Sequence, residues 1–154
     1  MARVEVYPDR VVIRLTASER ALAMRRTDIV LDREAIVSAV ITDDPWVWLR
    51  GVRSPGTHLP GRLALGTWRA FSGRDFVVVR NGRPAVVIDF DTPAEGDEGR
   101  GWVAVPPRER IESAADEHGV FDRFARVIVS TRHAAELIQA LRLDGDDAVF
   151  STAD

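Results

Sequence analysis

The sequence predicts a mainly β domain: a curled antiparallel sheet or barrel of about seven strands, capped at an open end by a C-terminal amphipathic helix. Three observations predict it. Apolar residues alternate with polar ones at Val4 and Val6, and again at Val11, Ile13 and Leu15, which is the period of a half-buried strand. Asn81-Gly82 stands between two β-rich runs, and both residues tolerate the positive φ of a type I′ hairpin turn. Ala134, Leu137, Ile138 and Leu141 recur at i, i+3, i+4 and i+7, the stripe of a helix with one buried face. A sheet of this size covers its apolar face by curling, and one helix can plug the end left open.

The elements follow in order. Val4–Val6 and Val11–Leu15, joined through Pro8-Asp9, form a hairpin. Thr16-Ala-Ser-Glu19 is a capping box, in which hydroxyl and carboxylate satisfy each other's backbone N–H groups, and it opens a short helix to about Met24. Ile29 and Leu31 alternate, and residues 36–41 are a β-branched run ending at Asp43-Asp44-Pro45, which makes two more strands. Trp46 and Trp48 then share one face of an extended segment. Residues 63–71 and 76–80 read as strands, and residues 85–90 are the return strand after Asn81-Gly82. Residues 92–101 are acidic, glycine-containing and expected to be mobile; residues 102–105 add a candidate strand and residues 109–118 a short polar helix. Residues 124–129 form the last strand, the striped helix spans 131–143 with Gly145 as its C-cap, and residues 144–154 are an acidic tail.

Between Arg50 and Trp68 glycine falls at every fifth position: Gly51, Gly56, Gly61 and Gly66. Five is neither the helical nor the strand period, so the spacing serves backbone shape. Pro55-Gly56 and Pro60-Gly61 are turn dipeptides, and the stretch reads as a shaped basic loop with both glycines at positive φ.

With 154 residues the chain suits one domain that buries ~70% of its unfolded surface. No apolar run approaches the ~20 residues of a membrane-spanning helix, and residues 1–20 lack a signal-peptide core, so a cytoplasmic location is expected. Cysteine is absent, which removes disulfides, thiolate nucleophiles and sulfur-ligated zinc. All 21 basic residues are arginine, a bias with two readings: bidentate recognition of phosphate or carboxylate, or a GC-rich coding sequence. Residues 46–83 hold seven arginines and one acid, Asp75 (7 − 1 = +6), whereas residues 89–120 hold nine acids and three arginines (3 − 9 = −6). Such blocks either steer a charged partner or lie against each other inside the fold.

No catalytic signature stands out. Nucleophilic catalysis needs a base, and the candidates are His58, His118 and His133. There is no Gly-x-Ser-x-Gly elbow, and Ser113, Asp116 and His118 do not converge from one polar helix. The histidines lack metal-ligand spacing, Asp144-Gly-Asp-Asp147 lacks the alternating ligands of a calcium loop, and no Gly-x-x-x-x-Gly-Lys phosphate cradle is present. No cofactor or metal is expected.

Several runs together resemble the bacterial pleckstrin-homology-like (PH-like) domains, in particular uncharacterised actinobacterial proteins of that class. They are Val11-Val-Ile-Arg-Leu15 with its capped turn, Asp44-Pro45-Trp46, residues 49–68, Arg74-Asp75-Phe76, and the step from Val127 through Leu141. The resemblance covers residues 1–143 except a probable insertion at 92–119. It implies a closed sheet capped by the last helix and a non-catalytic binding or scaffold role. Eukaryotic members hold phosphoinositides through a basic first hairpin loop, but here that loop is Pro8-Asp9-Arg10, with one arginine, so lipid binding does not carry over.

The candidate partner surface is Trp46, Trp48, Arg50, Arg53, His58, Arg62, Trp68 and Arg69. Arginine among aromatics suits a protein hot spot, hence a protein partner or self-association. The alternative is an anionic small ligand or single-stranded nucleic acid, and an unrecognised hydrolase stands third. The competing structural reading places the tryptophans in the core and leaves the arginines to solvate the loop.

Overall fold

The computed structural model describes residues 2–70, 73–91, 122–142 and 150–151. β1 (Arg3–Val6) and β2 (Arg10–Arg14) form the expected hairpin, antiparallel from Arg3↔Arg14 to Val6↔Val11. β3 (Ile29–Asp32) pairs with the far side of β2, and β10 (Phe150–Ser151) pairs with β1. The acidic tail therefore contributes two residues to the first sheet, whose order is β10-β1-β2-β3.

The capping box forms as read. The Glu19 amide donates to Thr16 Oγ1 at 3.3 Å, the Thr16 amide donates to Glu19 Oε2 at 3.0 Å, and α1 (Ala17–Ala23) follows. Met24 closes the helix in the left-handed conformation, φ 56°. Glu19 does more than cap. Its side chain is fully buried, and Oε1 accepts from the Ala2 amide at 2.8 Å and from Arg80 Nη2 at 3.4 Å, tying the chain start and the second sheet to the helix.

The second sheet has six strands in the order β4-β8-β9-β7-β6-β5: β4 (Ile36–Thr42), β5 (Val52–Leu59), β6 (Leu63–Ala70), β7 (Gly73–Arg80), β8 (Ala85–Phe90) and β9 (Arg126–Ser130). Here one expectation fails. The chain does turn at Asn81-Gly82, with Gly82 at φ 74°, yet β8 is not the partner of β7. β9 lies between them, parallel to β7 from Asp75↔Arg126 and antiparallel to β8 from Ala85↔Ser130. Turn residues report only a local reversal. Which strands pair is decided by burial, and Val127, Ile128 and Val129 are at most 1% exposed in the middle position.

The barrel is a second correction: the two sheets pack face to face and are not closed on each other. Their shared core joins Val4, Val11, Ile13, Ile29 and Leu31 of the first sheet to Leu65, Phe76, Val78, Ile88 and Val127 of the second. With ten described strands rather than about seven, two layers bury the apolar faces without the strain of closing one sheet.

The C-terminal helix α2 (Ala134–Arg142) takes the expected position over the core, burying Ala134, Leu137, Ile138 and Ala140, with Leu141 partly buried. Its C-terminal carbonyls are met by Arg33, whose Nη2 donates to Ala140 O at 3.1 Å while Nη1 donates to Tyr7 O, so one guanidinium joins the residue after β1, the residue after β3 and the end of α2. The proposed mobile stretch, the candidate strand at 102–105, the helix at 109–118 and the Gly145 cap lie outside the described residues. Among the described residues no helix is long and apolar enough to cross a membrane.

Leu137 is 0% exposed, so Leu137→Ala is expected to cost ~2–5 kcal/mol in denaturant unfolding. A cost below ~1 kcal/mol would show that the helix does not seal the core.

Candidate functional site

β4 and β5 are consecutive in sequence but occupy opposite edges of the six-stranded sheet. The chain between them must span five inter-strand spacings, roughly 24 Å at about 4.8 Å each. Residues 43–51 do this as a strap over the outer face. Trp46, Trp48 and Leu49 pack on Ala64, Trp68, Val77, Val79, Val87 and Ile128. The strap is not the extended segment expected from alternating tryptophans. Pro45–Trp48 is a 3-10 turn: Asp44 Oδ1 accepts from the Trp46 amide at 3.2 Å, Pro45 presets φ, and the Leu49 amide donates to Trp46 O at 3.3 Å.

Beneath the strap a row of polar residues, interrupted by Trp68, runs across the sheet in register. Ser38 pairs with Asp89, Asp89 with Arg126, Arg126 with Asp75, Asp75 with Trp68 and Trp68 with Arg53. Asp75 is 1% exposed, and Arg50 clasps it with both arms, Nε to Oδ2 at 2.7 Å and Nη2 to Oδ1 at 3.1 Å. These hydrogen bonds raise the Arg50 pKa above its usual value, against the opposing effect of burial. Arg126 Nε holds Asp89 Oδ1 at 2.7 Å, and its guanidinium lies 5.2 Å from the Trp48 ring centroid. Ser38 Oγ completes the row with a hydrogen bond to Asp89 Oδ2 at 3.3 Å. The strap is thus fastened twice: by the ion pair of Arg50 with the buried Asp75 carboxylate, and by a cation–π contact at Trp48.

The glycine-spaced stretch is a hairpin rather than a loop. Val52–Leu59 and Leu63–Ala70 pair antiparallel around a turn in which the Arg62 amide donates to Leu59 O at 3.0 Å. Gly61 sits there at φ 71° after Pro60, as a type II turn requires. The period of five is hairpin symmetry: Gly56 and Gly66 each stand five residues from Gly61 and face each other across the strands. The strands approach so closely at the bulge between Ser54 and Gly56 that a Cβ on Gly66 would lie 2.5 Å from Pro55 O and 2.6 Å from Gly56 Cα. Positive φ at Gly56 and Gly61 is as expected, but its cause is this pairing and turn, not a free loop.

The eight candidate residues separate accordingly. Trp68 is 4% exposed and belongs to the core under the strap. Arg50 is committed to Asp75, and Arg69 follows Trp68 on β6, so its side chain leaves by the opposite face. Trp48 is half-buried, its ring against the Arg126 guanidinium. Trp46 and His58 come together on the outer face, Arg53 is exposed on the same face opposite Trp68, and Arg62 lies exposed at the hairpin tip. Trp46 stacks on His58 at 6.3 Å between centroids and an interplanar angle of 24°, and His58 meets the edge of Trp68 at 5.8 Å. Next to Trp46, Val47 points away from the sheet and is 72% exposed.

Sequence reasoning missed Asp75, Asp89 and Arg126 as parts of this face. One signal was present: Asp75 is the lone acid in the +6 segment and sits between Arg74 and a run of apolar residues. As for the two charge blocks, the Arg50–Asp75 pair closes inside the basic one, and Asp89 is neutralised by Arg126, which lies beyond the acidic one.

No protein-family model matches the chain, and no curated protein or solved structure matches it either. The chemistry must therefore be read from the geometry. The outer face offers a half-exposed indole–imidazole stack, an apolar Val47 beside it, and guanidinium groups from Arg53 and Arg62. Near Trp46 a cleft of about 390 Å³ opens between the end of β4 and the β7–β8 turn, lined by Asp43, Asp44, Arg80 and Arg83. Both signs of charge meet in that cleft, so it favours neither an anion nor a cation.

Arg50→Ala would leave the Asp75 carboxylate buried without a counter-ion and is expected to cost roughly 2–4 kcal/mol, measured by chemical unfolding. Arg53→Ala, at an exposed position, should stay within about 0.5 kcal/mol of wild type. Equal costs at the two positions would mean that the clasp does not hold the strap. Gly66→Ala is expected to destabilise more than Gly61→Ala. At Gly61 only the φ preference is lost, about 1 kcal/mol, because no atom lies within 4 Å of the new Cβ. The reverse order in thermal melts would rule out the close approach of β5 and β6.

Proposed function

We propose that this chain is a non-catalytic cytoplasmic binding or scaffold module of the bacterial PH-like kind, which engages a protein partner through the strap and the β5–β6 hairpin. The observation that carries the reading is the Trp46–His58 stack, half-exposed beside Val47, with Arg53 exposed on the same face of the sheet. Tryptophan and arginine around an apolar centre make up the composition of protein hot spots. A strap folded as a 3-10 turn and fastened at Arg50 presents these groups in one fixed arrangement, so little conformational entropy is lost on binding. Support for the PH-like assignment comes from the mainly β architecture and the C-terminal helix seated on the core. The open pair of sheets is where this chain departs from the closed arrangement the resemblance implies.

The anionic-ligand reading rests on Arg53 and Arg62 and predicts different behaviour. Val47→Glu combined with Arg53→Glu changes two exposed side chains and should leave the melting temperature unchanged. Affinity capture from the native host, wild type against this variant, tests the proposal. Retention of a stoichiometric protein by the wild type, surviving moderate salt and lost in the variant, is the expected result. Equal retention by both proteins would refute the surface. Retention of nucleic acid alone, with log K falling linearly in log salt, would favour the polyanion reading instead.

A further inference from the structure

The edges of the two sheets are not treated alike. On β5, Pro55, the bulge at Ser54–Gly56 and the charged Arg53 all oppose addition of another strand. The edge of β3 is occupied by Asp122, whose amide donates to Val30 O at 2.7 Å while its Oδ2 accepts from the Val30 amide at 2.9 Å. β10 is only two residues long. β4 is irregular only at its start, between Ile36 and Ser38, and the regular stretch Ser38–Thr42 has none of these protections. The seven residues of β4, Ile-Val-Ser-Ala-Val-Ile-Thr, include no proline and no charge, and among the described residues β8 is its one strand partner. Val37, Val40 and Ile41 are 68%, 42% and 46% exposed, unusually apolar for an open edge. Natural edges of this length usually carry a charge or a proline because an unprotected one pairs with whatever strand it meets.

We propose that β4 is a homodimer interface, in which a second copy adds its own β4 antiparallel across a two-fold axis and joins the two six-stranded sheets. The second copy is favoured by symmetry and charge. Beyond the irregularity between Ile36 and Ser38, the regular stretch Ser38–Thr42 is centred on Val40. Antiparallel self-pairing about Val40 sets Val40 against Val40, Ala39 against Ile41 and Ser38 against Thr42, with no charge in the ladder. It also carries the acidic Asp43-Asp44 ends of the two copies to opposite ends of the interface, where a parallel arrangement would stack them. An isologous strand pair of this kind closes on itself and gives a dimer rather than a fibre. The paired residues Ser38–Thr42 precede the strap and lie on the edge opposite the hairpin, and the oligomeric state does not depend on the partner reading above.

Sedimentation velocity of the purified full chain, from about 1 to 300 µM, tests it. The wild type is expected to dimerise reversibly, with Kd in the micromolar range or weaker because one strand pair makes a small interface. Val40→Lys and Val40→Glu each place like charges together at the axis and should raise Kd at least tenfold. An equimolar mixture of the two should recover a heterodimer. Val52→Lys on the other edge, 73% exposed in the wild type, should dimerise like the wild type. Should either Val40 variant fail to fold, hydrogen exchange on the wild type decides instead, because protection of the β4 amides must rise with protein concentration. A wild type monomeric throughout overturns the proposal. So do Val40 variants that dimerise unchanged, a mixture that stays monomeric, or β4 protection independent of concentration, which would mean that the chain covers its own edge.

Discussion

The structure depends on three strands buried on both faces. β7, β8 and β9 form the middle of the six-stranded sheet, and Phe76 to Val79, Ala85 to Ile88 and Val127 to Val129 are all at most 1% exposed. A sheet with water on one side needs only one cover, whereas this one needs two. The four-stranded sheet and the helices supply the inner cover. On the outside the cover is a single crossing of the chain, and nine residues shield so much surface only because two of them are tryptophans. Full transfer of a large aromatic side chain from water is worth roughly 2–3 kcal/mol, and the half-buried indoles of Trp46 and Trp48 each contribute a part of that to holding the strap.

That arrangement also explains why charge lies so close to the core. A strap held by apolar contact alone could slide, since hydrophobic burial has no preferred direction. The bidentate Arg50–Asp75 pair and the placement of Arg126 between Asp89 and Trp48 fix its position along the sheet. Carboxylates at Asp75 and Asp89 are tolerated there because each meets a guanidinium within hydrogen-bonding distance. The half-exposed groups of the face, Trp46 and His58, are in turn held by residues that serve the fold, Trp68 among them.

Much of the fold was readable from local rules. The first hairpin, the Thr16–Glu19 capping box and the striped C-terminal helix stand where sequence spacing puts them, because each depends on neighbours a few residues away. The failures share one cause. Asn81-Gly82 signals a turn, but that its two strands would be separated by β9 depends on residues more than thirty positions later. The glycines at 51, 56, 61 and 66 were recognised as backbone devices, yet their period has meaning only once the hairpin they fold into is known. The unbroken apolar runs at 76–79 and 127–129 did carry a signal of two-sided burial that alternation rules overlook. Of the site, the tryptophans and arginines were legible as a cluster. Their division into core, clasp and surface was not, because that division is set by Asp75, Asp89 and Arg126 on distant strands.

The insertion of β9 has a consequence for how the protein is made. On the ribosome β8 is complete at Phe90, and β9 begins 36 residues later, at Arg126. At roughly 5–20 residues per second, the nascent chain waits some seconds with β7 and β8 synthesised and the strand that belongs between them still missing. For that interval β7 and β8 each lack the strand that belongs between them, and an unfilled strand edge is open to chaperones and to mispairing. Synthesis speed through residues 91–125 therefore sets how long the sheet stays open.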